Sequence, residues 1–193
     1  MHGRFVDAFT LLPKQRVICG YTTKPLCLRH RIVLESIGSP FITGEREATP
    51  MDVVMAAKVF SSSKLIDLTE GGDKDKDAEH AAMMIVDTEY FKQQVNDISE
   101  FIKDQALWPE FWNKSSSGSN KDRGVPWVLS IIATLVSNGI EMEQAMTMPE
   151  SQAVWLSTAF SIAEGSEIDL ISSKDLASME YLKALRAKEA SNG

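Results

Sequence analysis

Cys27 and His30 stand one helical turn apart, a spacing that can build a thiolate–imidazole pair or one half of a zinc site. Either chemistry needs further ligands or an orienting partner. The remaining histidines, His2 and His80, lie far along the chain, and the second cysteine, Cys19, forms no CxxC motif with the first. Leu34 and Ile37 continue the turn that carries His30, so its expected place is a hydrogen-bonded position in the core.

Asp73, Asp75 and Asp77 imitate the first half of a calcium-binding loop. Such a loop opening at Asp73 requires glycine at its sixth position and glutamate at its twelfth, where this chain has Ala78 and Met84. Glu164, Glu167 and Asp169 invite an acid/base reading, yet EGSEID fits the end of one helix and the polar loop after it. No G-x-S-x-G, P-loop or G-x-G-x-x-G motif occurs. The expectation is a protein that is not an enzyme, with no catalytic residue, no metal ligand and no cofactor.

Twenty basic and twenty-seven acidic residues give a formal charge of −7, and no run of like charge marks a nucleic-acid arm. Nucleic acid is therefore not the expected partner. The two cysteines suit a reducing compartment, and MHGRFVDAFTLLPKQ lacks the continuous apolar stretch of a cleaved signal. Val125 to Ile140 is shorter than the roughly twenty residues of a spanning helix and holds Ser130, Thr134, Ser137, Asn138 and Gly139. It reads as a buried core helix, and no membrane association is expected.

The elements that would position these groups are mostly helical. VICGYTT in the first 25 residues suits a short strand or extended arm. From Leu26, the apolar residues Cys27, Val33, Leu34 and Ile37 with His30 follow helical spacing up to the stop at Gly38 and Pro40, and SPFITGERE connects onward. Thr49, Pro50 and Asp52 begin a helix with a stripe of Val53, Val54, Ala57 and Phe60. GGDKDKDAE, residues 71–79, reads as a solvated polar hinge before a long helix from about Asp77 to Leu107, with room for a break inside it. Trp108, Phe111 and Trp112 cluster about Pro109 ahead of NKSSSGSNKDRG, the most linker-like stretch of the chain.

Val128, Ile131, Ile132, Leu135 and Val136 then form a stripe ended by Asn138-Gly139, followed by a short EMEQAM helix. Thr147 with Glu150 has capping-box spacing, and Pro149 suits the first position of the helix that Gly165 closes. A last amphipathic helix from about Ser173 places Leu176, Met179, Leu182 and Leu185 together. The expected architecture is mostly α, a single-domain bundle of about six or seven helices. It divides into an N-terminal part (1–112) with its extended arm, a flexible linker (113–124) and a C-terminal helical part (125–193).

Nine methionines and four tryptophans exceed what a small core requires, and Met142, Met146 and Met148 fall in one short segment. Methionine adapts to irregular partner surfaces, as in helix-binding grooves. Within TMPESQAVWLSTAF, Leu156 and Phe160 suit the core, whereas Met142, Met146, Met148 and Trp155 are candidates for a groove that takes a partner helix.

Two segments carry a family resemblance. PLCLRHRIVLESIGSPFITGEREATPMDVVMAAKVFS joins a helix, a GSPF turn and a TPxD-started helix, and PWVLSIIATLVSNGIEMEQAMTMPESQAVWLSTAFSIAEGSEIDLIS adds a Pro-Trp helix, a Met-Pro turn and an A-x-W helix ending in EG. Together, over a little under half of the chain, they resemble tail assembly chaperones and related small proteins encoded near the tape measure gene of tailed phages. The resemblance implies a chaperone in the host cytoplasm that binds the tape measure protein, shields its apolar faces and helps recruit tail tube protein. A structural virion component, such as a connector or head-associated subunit, has the same helical composition and is the alternative.

Overall fold

The computed structural model describes residues 3–11, 13–62, 74–111 and 125–172, and residues 174–183 apart from 176 and 180. The expected linker at 113–124, Trp112, Asp73, His2, Leu176 and Leu185 lie outside the described residues. The fold is mostly helical, as expected, with one two-stranded sheet near the N-terminus. Among the described residues no helix is long and apolar enough to cross a membrane.

VICGYTT takes the expected strand form, and a helix precedes it. Gly3–Thr10 forms helix α1, and Val17–Ile18 (β1) pairs antiparallel with Tyr21–Thr22 (β2). A type I′ turn, whose twist matches such a hairpin, requires positive φ at both central positions. Cys19 and Gly20 supply it, at 46° and 69°.

Helix α2 (Leu28–Ser36) is the hinge of the packing. Leu34 belongs to a first core with Ile18, Leu26, Val53, Val54, Phe60, Ile98 and Phe101. Leu28, and Ile32 at its margin, belong to a second with Val128, Ile132, Leu135, Ala145 and Ala153. A helix buried on two sides cannot show one apolar stripe. Ile37, at its C-terminal cap, is accordingly exposed and not part of the buried face.

Part of the SPFITGERE connection is helical: Pro40–Thr43 forms α3, with Pro40 at the first turn and Gly44 closing it at φ 66°. Helix α4 (Pro50–Ser61) starts on a complete capping box, since the Thr49 hydroxyl accepts the Asp52 amide while the Asp52 carboxylate accepts the Thr49 amide. Arg46 beside Asp52 holds that carboxyl down at about 2.

The expected polar hinge is helical from Lys74, because α5 (Lys74–Val86) is clamped to the hairpin and α4. Asp77 accepts from Tyr21 and, at 3.0 Å, from Lys58, while Lys76 donates to the Gly20 carbonyl at 2.9 Å and lies 4.5 Å over the Tyr21 ring. Local charge gives way to tertiary contacts here. The long helix breaks at Asp87, whose side chain caps α6 (Thr88–Gln105) by accepting the amides of Glu89 and Tyr90 at 3.0 Å.

The C-terminal part contributes α7 (Trp127–Ser137), α8 (Met142–Thr147) and α9 (Glu150–Ala163). Helix α9 packs chiefly on α7, and α8 reaches across to α2. Thr147 and Glu150 form no capping box. Thr147 bonds the Glu143 carbonyl, and Glu150 turns away to meet Arg31.

Candidate functional site

Residues 25–61 and 126–172 meet along α2. The Glu150 amide donates to the Leu26 carbonyl at 2.7 Å, and Cys27 and Pro149 form an isolated antiparallel bridge. Side chains then lock the seam. Arg29 forks onto the Glu143 carboxylate, and Arg31 binds both oxygens of Glu150 at 2.7 and 2.8 Å. The Arg31 guanidinium also lies 5.4 Å from the Trp108 ring and 5.2 Å from the Trp127 ring, which are themselves in contact. Burial pushes the Glu150 carboxyl up, and Arg31 opposes that shift.

Cys27 and His30 are both buried, and neither is poised for reaction. The Nε2–H of His30 faces the Ser62 carbonyl, and burial drives its pKa down to about 4, leaving a neutral ring. Burial pushes the Cys27 thiol up, and the Cys19 thiol up to about 11. Among the described residues no group of three or more His, Cys, Asp or Glu side chains converges as a metal site.

The four groove candidates separate. Trp155 is only 6% exposed: its indole N–H donates to the Leu107 carbonyl at 2.8 Å, and Phe5 of α1 covers the ring edge-on at 5.6 Å. This corrects its placement from an open groove to the packed interior. Met146 and Met148 are half-buried against the second core beside Leu156 and Phe160, which take their expected places there. Of the four, Met142 alone is an exposed side chain, at 56%.

A cleft of about 220 Å³ lies between α1 and the end of α6, lined by Ala8, Leu11, Pro13, Gln105, Leu107 and Pro149 among others. Asp7, Lys14, Asp104 and Ser151 also line it, and Asp104 is engaged by Arg16.

Apolar side chains face outward at several places, among them Phe9 of α1 and Met83, Ile85 and Val86 of α5, and one such surface is the back of α7. Val128, Ile132 and Leu135 point into the second core, while Leu129, Ala133 and Val136 recur at i, i+4 and i+7 on the exposed side, after an exposed Val125. α7 is thus not the fully buried helix its apolar sequence suggested. Exposed Ile162, in the last turn of α9, and Met142, at the start of α8, extend apolar surface on the two helices packed against α7. Exposed Ser130 and Ser137 flank this stripe, and an exposed apolar helix stripe is an arrangement that can pack against another helix. Comparison with protein families, with characterised proteins and with solved structures gives no match for the chain.

Proposed function

We propose that this chain is a tail assembly chaperone of a tailed phage, a non-catalytic protein of the host cytoplasm that binds the tape measure protein and assists tail tube assembly around it. The observation that carries the reading is the outward apolar stripe of α7, Leu129, Ala133 and Val136, inside the second of the two segments that resemble such chaperones. A long helical client with apolar faces needs a complementary apolar surface to stay soluble before assembly, and this stripe offers one.

The test is co-expression of the tape measure protein with and without this chain. A larger soluble fraction of the tape measure protein, together with absence of this chain from purified virions, fits a chaperone. Unchanged solubility would end the reading, and retention in the finished particle would favour a structural virion component.

A further inference from the structure

We propose that the outer face of α7 receives an amphipathic helix whose apolar stripe is bordered by Lys or Arg, with its basic residues laid toward the end where α7 and α9 terminate. This deepens the chaperone reading by naming the chemistry of the docked segment. It also stands on a separate observation, the charge of the surface.

From Val125 to Ser172 the chain contains no Lys, Arg or His, but it contains Glu141, Glu143, Glu150, Glu164, Glu167 and Asp169. Glu143 and Glu150 are engaged by Arg29 and Arg31 along α2. Glu141 and Glu164 are exposed, and both sit at the C-terminal end of α7. The Asn138 side-chain amide donates to the Glu164 carboxylate at 2.9 Å, so the C-terminal caps of α7 and α9 lie side by side. Each cap carries the partial negative charge of its helix dipole, which adds to the carboxylates.

The C-terminal end of the apolar stripe is therefore bordered by carboxylates, while Arg31 lies near Trp127 at its other end. A partner bordered by Asp or Glu is repelled, whereas one with Lys or Arg beside its apolar face gains attraction and faster encounter. The same charge disfavours a parallel pairing of two copies through this face, which would bring Glu141 and Glu164 against their own counterparts. Leu129 to Val136 spans about 10 Å, two turns of a docked helix. Met142, unbranched and exposed, can adjust to an irregular partner surface.

The test uses synthetic helical peptides and titration calorimetry with the full chain. Two peptides share one Leu/Ala stripe, one bordered by Lys and the other by Glu, and a third keeps the Lys residues with the stripe scrambled. The Lys-bordered peptide should bind about tenfold or more tighter than either of the others. Leu129→Ser should weaken it about tenfold at unchanged denaturation midpoint, and Glu141→Gln with Glu164→Gln should shrink the preference for Lys over Glu borders. Equal affinity for the two borders, tight binding of the scrambled peptide, or full binding by Leu129→Ser would each overturn the proposal. So would a concentration-dependent dimer dissolved by Leu129→Ser, which would give the face to a second copy. A charge preference without tape measure solubilisation removes the chaperone reading and leaves the docking face; solubilisation without a charge preference does the reverse.

Discussion

Arg31 bonds both carboxylate oxygens of Glu150, a side chain only 1% exposed, and so ties α2 to the start of α9 across most of the chain. Removing one partner of such a pair leaves an uncompensated charge in the interior, which costs about 3–5 kcal/mol. Arg31→Met should lose stability on that scale in urea denaturation. Arg31→Met with Glu150→Leu should recover part of the loss, because no stranded carboxylate remains. Strictly additive single and double losses would mean the pair is not coupled.

His30 links stability to pH. Its folded pKa, lowered to about 4 by burial, lies below the ordinary value of 6.5, so the unfolded chain binds the proton more readily. The neutral ring's contribution is present in full above pH 6.5 and is lost as pH falls toward 4. The loss amounts to roughly 3 kcal/mol, from about 1.4 kcal/mol per pH unit. Guanidinium denaturation at a series of pH values should show this slope, and His30→Gln should flatten it. An unchanged slope in the variant would place the titrating group elsewhere.

Much of the fold is legible where local chemistry agrees with the tertiary structure. Thr49, Pro50 and Asp52 announce α4 because a capping box and an N-terminal proline act through neighbouring atoms, and Val53, Val54, Ala57 and Phe60 are all buried as their spacing implies. The failures have tertiary causes. α2 hides its two buried sides because Leu28 and Leu34 serve different cores. The charged start of α5 reads as a hinge, yet Asp77 and Lys76 find partners on the hairpin and on α4. Glu150 has the spacing of a capping residue and is taken by an arginine that lies far away in sequence.

The places of the candidate groove residues were not legible in the sequence. Methionine and tryptophan content pointed to Met142, Met146, Met148 and Trp155, but content cannot tell a packed ring from an exposed one. The informative signals were the apolar residues of α7 continuing past a single stripe, and the lack of any basic residue from Val125 to Ser172.

Trp155 provides a direct check on its corrected position. Trp155→Ala should lose about 3–5 kcal/mol of stability, as large aromatic truncations in a core do. Trp155→Phe keeps most of the packing against Phe5 and loses the bond to the Leu107 carbonyl, for about 1–2 kcal/mol. A near-neutral Trp155→Ala in thermal denaturation would return the residue to the surface.

The capping box of α4 isolates a local term. Thr49→Ala removes the hydroxyl that accepts the Asp52 amide and should cost about 1 kcal/mol. Thr49→Ser retains the acceptor and should cost much less. Equal losses in the two variants would show that the methyl group, not the cap, matters there.

Helix α7 offers the sharpest contrast, because one face is buried and the other exposed over the same eleven residues. Leu135 is fully buried in the second core, so Leu135→Ala should cost about 2–5 kcal/mol and reduce client binding only as far as it unfolds the protein. Leu129, 49% exposed, belongs to neither core, and Leu129→Ser should change stability by no more than about 0.5 kcal/mol. If the outward stripe docks the tape measure protein, that same variant should lose the ability to keep it soluble on co-expression. The decisive comparison scores both variants for denaturation midpoint and for soluble tape measure protein. A Leu129→Ser chain that is stable and still fully active would remove α7 from the docking surface.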